Sequence, residues 1–257
     1  MSGLVAITRA PSHGLAHCEL SFVSRTAIDV DLAIAQHRNY ERALEALGCR
    51  VIALPALEEQ PDAVFVEDVA LVLDEVAVMT RPGAESRRAE GASMANVLAN
   101  HRPLLHIEAP GTLDGGDVLR IGRAIFVGKS ARSNADGIAQ LRELLGPFGY
   151  TVQGVATREC LHLKSAVTQV APDTLLIQPA WVDAAVFASH RLIEIDPGEE
   201  HAANALRVND AVIQPDCFPR TQQRLRDAGI AVIGVDVSEL QKAEGAVTCC
   251  SLVFSEQ

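Results

Sequence analysis

Apolar residues in this chain gather in short runs that come in pairs, each pair broken by a tight polar turn. Ala70–Leu73 and Val76–Thr80 flank Asp74-Glu75, and Val118–Ile121 and Ala124–Val127 flank Gly122-Arg123. Val167–Val170 and Leu175–Gln178 flank Ala171–Thr174, with Pro172-Asp173 at its centre, and Ala205–Val208 and Ala211–Gln214 flank Asn209-Asp210. Short apolar runs joined by such turns predict β-hairpins. A segment with helical spacing follows each pair: Glu85–Ala99, Asn134–Leu145, Trp181–Ser189 and Pro219–Ala228. Asn134 is a suitable N-cap, and Gly149 and Gly229 follow helix ends. One more strand closes each set: Leu104–Ile107, Thr151–Val155, Arg191–Ile195 and Ala231–Val235. A fifth set spans the termini. There Cys250–Phe254 pairs with Val5–Thr8, and the helix Asp31–Leu47 and the strand Val51–Leu54 follow.

The unit is therefore strand, strand, helix, strand, repeated with a period of roughly 40–50 residues, the signature of a solenoid, propeller or array. Closure across the termini favours a ring over an ordinary α/β sandwich with coincidental spacing. The expected fold is α/β: five blades around a central channel, in a single domain spanning 1–257 with no linker.

In such a ring, equivalent positions converge on the axis. The residues just before the first strand of each hairpin are Glu67-Asp68, Gly116-Asp117, His162-Leu163-Lys164-Ser165, Ala203-Asn204 and Thr248-Cys249. Asp114 lies slightly upstream in Gly111-Thr112-Leu113-Asp114-Gly115-Gly116-Asp117. One mouth of the channel would thus gather a thiol, an imidazole and several carboxylates: a nucleophile, an acid/base and anionic groups. Paired carboxylates suit a planar guanidinium and suit a phosphate or carboxylate badly.

Composition narrows the classes. The 257 residues are 48% hydrophobic, enough for a well-buried core. The net charge of −11 argues against nucleic acid and anionic membranes as partners. Met1–Arg9 shows no signal-peptide pattern and no long apolar run follows. The six cysteines are scattered without Cys-x-x-Cys spacing, which suits a reducing cytoplasm and gives no zinc-ligand pattern. No metal and no cofactor is expected.

At this point the motifs are recognisable. The chain resembles the dimethylarginine dimethylaminohydrolases, part of the guanidino-modifying (pentein) superfamily of five-bladed α/β-propellers. The matching segments are Phe65-Val66-Glu67-Asp68-Val69, Thr80–Arg88, Thr112–Asp117, Leu161–Ser165 and Val247–Ser251. They run in order over nearly the whole chain. The resemblance implies that Cys249 attacks the guanidinium carbon of a methylated arginine, giving citrulline and methylamine or dimethylamine. It implies that His162 protonates the leaving amine and then activates water, with Asp114 orienting it. Glu67 and Asp68 would hold the guanidinium, Asp62 the α-amino group, Arg87 and Arg132 the α-carboxylate, and Leu20 would contact substrate from a lid loop. Glu244 stands where the family commonly has Asp, which is expected to change loop geometry. The expected partner is this small molecule, with a homodimer as the assembly to test.

Each residue also has a plainer reading. Neighbours in a strand face opposite ways, so only one of Cys249 and Cys250 can meet the channel; the motif selects Cys249. Its thiol is expected to rest protonated, substrate charge helping to form the thiolate. Asp117 in its Gly-rich turn reads as structural. The loop Pro11–Phe22, with Gly14-Leu15, is a candidate lid. Rival functions are an arginine or agmatine deiminase, or a silent homologue that binds arginine derivatives. Agmatine would leave Arg87 and Arg132 without a carboxylate, and a binding module has no need of Cys249, His162 and Asp114 together.

Overall fold

The computed structural model describes residues 3–256, so Met1 and Ser2 of the N-terminal segment read above lie outside the described residues. The chain opens with β1 (Leu4–Arg9), α1 (Val30–Ala46) and β2 (Cys49–Leu54). The next set is β3 (Ala70–Val72), β4 (Ala77–Met79), α2 (Gly91–Leu98) and β5 (Leu104–His106). Then come β6 (Val118–Ile121), β7 (Ala124–Lys129), α3 (Ala135–Leu145) and β8 (Thr151–Ala156). A one-turn helix, α4 (Leu163–Ala166), leads into β9 (Val167–Ala171), β10 (Thr174–Ile177) and β11 (Arg191–Glu194). The last full set is β12 (Leu206–Val208), β13 (Ala211–Pro215), α5 (Pro219–Asp227) and β14 (Ala231–Val235). The short α6 (Ser238–Gln241) and β15 (Leu252–Ser255) complete the chain.

These strands make five three-stranded sheets: β15-β1-β2, β3-β4-β5, β6-β7-β8, β9-β10-β11 and β12-β13-β14. In each, the middle strand pairs antiparallel with its hairpin partner and parallel with the strand after the helix, as in Val5↔Phe254 and Ala6↔Val51. The parallel pairing follows from the intervening helical segment, because a crossover returns the chain in the same direction. The protein is thus a five-bladed α/β-propeller, and its first blade is closed by the two ends of the chain. The innermost strands β3, β6, β9, β12 and β15 border a central cavity of about 550 Å³.

Apolar side chains from neighbouring blades interdigitate. Leu119 and Phe126 of one sheet pack with Val167 and Leu175 of the next, and Val5 and Ile7 pack with Ala70 and Ala77. The helices lie outside and bury one stripe each. Helix α3 buries Ile138, Leu141 and Leu145, and Asn134 caps it by accepting a bond from the Gly137 amide at 2.8 Å. Full burial of such a Leu contributes about 1.5–3 kcal/mol. No helix among the described residues is long and apolar enough to cross a membrane.

Three expectations need correction. Trp181–Ser189 is no α-helix: only Ala184–Phe187 forms a 3₁₀ turn, capped by Asp183. Val182 is drawn out to bridge Thr157, and Trp181 is buried in the apolar cluster, so tertiary contacts override the helical spacing. Glu85–Ala99 divides into a 3₁₀ stretch, Glu85–Glu90, and α2, because Arg87 and Glu90 are turned inward as a buried ion pair. Cys249 and Cys250 lie in a turn ahead of β15, so strand alternation is not what separates them.

Candidate active site

The convergence expected of a ring is observed. Five chain segments, each just ahead of an innermost strand, meet at one end of the channel. The first is the 3₁₀ turn Val66–Val69, which carries both Glu67 and Asp68 and does so without the extended geometry that would splay them. Its Glu67 amide donates to the Cys249 carbonyl at 3.1 Å, joining two segments directly. Gly115-Gly116-Asp117 forms the second turn. A Cβ on Gly115 would collide with the Glu67 carbonyl, and one on Gly116 with the His162 ring, so this close approach requires glycine at both positions.

His162 is the N-cap residue of α4, held extended at φ −135° and ψ 159°, not the first residue of a strand. It is 5% exposed. Its Nε2 lies 3.1 Å from Asp114 Oδ2, and its Nδ1 lies 3.9 Å from Asp68 Oδ1. Asp114 is fully buried and fixed by the Gly83 amide, which donates to Oδ1 at 2.8 Å. Burial alone would push the imidazole down. Asp68, the hydrogen bond with Asp114, and Asp117 outweigh it and raise His162 to about 9. The same attraction holds Asp68 down at about 2, against a burial cost that acts the other way. His162 therefore rests as a buried imidazolium. Asp68, Asp114 and His162 bring potential metal-ligand atoms within 4.8 Å of one another, and a metal bound there would have to displace the imidazole proton.

Cys249 is half-buried, with its sulfur 4.0 Å from Thr248 Oγ1. Burial, then the Glu67 and Asp68 carboxylates, pushes its thiol up to about 12, so it rests protonated. Cys250 is fully buried in the apolar cluster around Tyr40, its thiol donating to the Ala246 carbonyl at 3.4 Å.

A narrow cleft of about 20 Å³ brings together Glu19, Asp62, Asp68, Arg87, Arg132, His162, Glu244 and Cys249, with Phe65, Leu161, Ala243 and Gly245. That is room for roughly one water. Asp62 accepts from the Glu19 amide at 3.1 Å, and Arg132 Nη2 bonds Ser21 Oγ at 3.1 Å. Arg87 is 5% exposed: Nη1 donates to Asp68 at 2.6 Å, Nε and Nη2 to Glu90, and Nη2 also to the Asp62 and Phe65 carbonyls. Among the described residues Asp68 is the one hydrogen-bond partner of Arg87 Nη1. The main work of Arg87 is to neutralise buried carboxylates.

Two predicted residues stand elsewhere. Glu67 borders the central cavity, where it accepts from Lys164 Nζ at 2.6 Å and Thr248 Oγ1 at 2.9 Å. Burial raises its pKa. Leu20 packs against the Tyr40 cluster and does not line the cleft. Sequence reasoning brought the segments of Lys164, Asn204 and Thr248 to the axis but gave these three residues no role; they bond one another and Glu67. The signal was available, since a buried carboxylate needs a cation and Lys164 lies two positions after His162. Glu19, a loop residue, carried no such signal.

Comparison with known proteins agrees with the geometry. Residues 21–254 match the family model described as N,N dimethylarginine dimethylhydrolase, eukaryotic. The N(G),N(G)-dimethylarginine dimethylaminohydrolase of Streptomyces coelicolor is 38% identical over 252 residues, covering 98% of this chain and 97% of that protein. The corresponding enzyme of Pseudomonas aeruginosa, solved as a cysteine-to-serine mutant complexed with citrulline, superposes with a TM-score of 0.94 at 35% identity. The match covers 99% of this chain and all of that one. A histidine-to-glycine dimethylarginine dimethylaminohydrolase, solved as an adduct with S-methyl-L-thiocitrulline, also gives 0.94, at 36% identity, covering 99% of this chain and 100% of that one.

Proposed function

The chain belongs to the dimethylarginine dimethylaminohydrolase family and hydrolyses N-omega-methylated arginines to citrulline, and on that premise we propose how its own residues divide the work. Cys249 is the nucleophile, His162 the acid and base, and Asp114 the group that orients His162. Asp68 receives the guanidinium, Asp62 the α-amino group, and Arg132, with Nη1 of Arg87, the α-carboxylate. Glu67 supports this set from behind, through Lys164 and Thr248, and the backbone at Leu20 closes over the substrate.

The single observation that carries this reading is the convergence of Cys249 and the Asp114-bonded His162 on one cleft lined by Asp62 and Asp68. A cationic guanidinium placed beside Cys249 favours loss of the thiol proton to solvent. The thiolate attacks the guanidinium carbon, and the Cys249 sulfur–carbon bond forms. His162 gives its proton to the substituted nitrogen, the carbon–nitrogen bond breaks, and methylamine or dimethylamine leaves. The now neutral His162 takes a proton from water as the hydroxide adds to the thiouronium carbon. The carbon–sulfur bond then breaks, and the thiol and the ureido product are released. His162 needs its charge for the first half and loses it only at the moment of use, which suits an acid held near 9 at neutral pH.

We also place the protein in the cytoplasm, supported by six cysteines that are all unbridged. We read the whole chain as one domain, supported by apolar clusters shared between blades, and take a homodimer as the assembly to test by light scattering. The functional test is incubation with asymmetric dimethylarginine, arginine and agmatine, assayed for ureido product. Citrulline from the methylated substrate with little product from arginine supports the reading. Faster turnover of arginine or agmatine moves the assignment to a deiminase, and no product from any of them to a silent homologue.

A further inference from the structure

We infer that Glu244 is a positioning residue that latches the loop 19–25 shut over the cleft, an inference that rests on the proposed substrate site. Its carboxylate accepts from three consecutive lid amides: Ser21 at 2.9 Å, Phe22, and Val23 at 2.7 Å. Glu244 has φ +60°, a left-handed conformation rare for a residue with a long side chain. An anion grasping successive N–H groups makes charge-assisted bonds, stronger than neutral ones.

The other ties on the lid have a different character. Glu19 is held by Asp62 and Ser21 by Arg132, and both of those groups are assigned to the substrate. When substrate engages them, these ties weaken just as closure is needed. The Ser86 hydroxyl bond to Glu19 Oε1 is a single bond at an exposed position. Arg25 donates to the Ala16 and Cys18 carbonyls, both at 2.7 Å, but these lie in the same N-terminal stretch as the loop. Glu244 is a charged tie from a distant part of the chain that uses no group assigned to the substrate, so it keeps the lid closed through the reaction. The closed cleft of about 20 Å³ is far too small for an arginine to enter, so the lid must open and reclose in every turnover. The Phe22 and Val23 side chains are exposed and border an adjoining pocket of about 330 Å³, so the backbone amides held by Glu244 are these residues' hydrogen-bonded anchors.

Affinity for substrate falls by the fraction of molecules able to close. Replacement of Glu244 by Ala is expected to raise KM for dimethylarginine about tenfold, with kcat held within about threefold. Glu244→Asp, which keeps the charge, is expected to restore most of the loss, and Glu244→Gln to fall between. Limited proteolysis of the same proteins reads the lid without reference to catalysis: chymotrypsin after Phe22 and trypsin after Arg25 should cut Glu244→Ala about tenfold faster than the parent, and Glu244→Gln at a rate between the two. Glu244→Gln keeps the test decisive if Glu244→Ala fails to fold. An unchanged KM, or cleavage no faster than in the parent, overturns the latch. Absence of turnover in the parent protein would count against the functional reading instead, because cleavage rates still report the lid.

Discussion

Replacing Asp114 by Asn removes the carboxylate that hydrogen-bonds His162, one of the three that keep it charged. The isosteric amide retains the Gly83 N–H bond through its oxygen, so the backbone turn should survive. Its NH₂ group then faces Nε2 in place of a carboxylate oxygen 3.1 Å away. An imidazole held at about 9 in place of 6.5 represents about 3 kcal/mol of preference for the charged form, shared chiefly among Asp68, Asp114 and Asp117. Loss of the Asp114 share is expected to bring His162 down toward neutrality. The proton available at pH 7.5 then becomes partial and the ring loses its fixed orientation, so kcat should fall about 10²–10³-fold. Stability carries the same signature. His162 has a raised folded value, so its contribution is complete below about 6.5 and is lost as pH rises through about 9. Parent protein should lose melting temperature over that window relative to Asp114→Asn. The direct assay is NMR of ¹³C-labelled histidine from pH 5 to 10. An imidazole titrating at the same pH in both proteins, with unchanged kcat, would refute the reasoning.

Two further substitutions test different links. Cys249→Ser should abolish citrulline formation and leave the urea midpoint nearly unchanged. Cys250→Ser should keep turnover but lose stability by about 1–3 kcal/mol, from a polar hydroxyl placed in an apolar cluster; the reverse pattern would exchange their roles. Arg87→Ala should cost about 3–5 kcal/mol, because it leaves Asp68 and Glu90 buried without their cation. A loss below about 1 kcal/mol in urea unfolding would mean that Arg87 serves substrate more than structure.

Much of the fold was legible because each blade obeys short-range rules. Hairpins such as Val118–Ile121 with Ala124–Lys129 depend on short apolar runs and a Gly-containing turn, all local in the chain. Closure of the first blade was readable because β15 and β1 carry the same pattern at opposite ends. The misread helix at Trp181–Ser189 failed for a non-local reason: Val182 bridges Thr157 in another part of the chain. The site divides in the same way. His162, Asp68 and Cys249 were visible because repeat position and motif agreed on them. That Glu67 turns to Lys164 was not, since the 3₁₀ turn Val66–Val69 replaces the extended geometry the sequence suggested. Nor could sequence show that most of the Arg87 donors are taken by protein carboxylates and carbonyls. The resting charge states depend on burial and on anions from several blades, and only the assembled ring supplies both.

The most direct test of the central claim is to find where the covalent intermediate forms. S-methyl-L-thiocitrulline carries methanethiol as a leaving group that needs no proton from His162. In His162→Gly the first bond exchange should proceed: the Cys249 sulfur–carbon bond forms, the carbon–SCH₃ bond breaks, and methanethiol is released. Hydrolysis of the adduct should stall without the base. Acid-quenched protein, digested and read by tandem mass spectrometry, should then carry the amidino adduct on Cys249 in near-stoichiometric amount. An adduct on Cys250, or methanethiol released with no modified cysteine, would contradict the account.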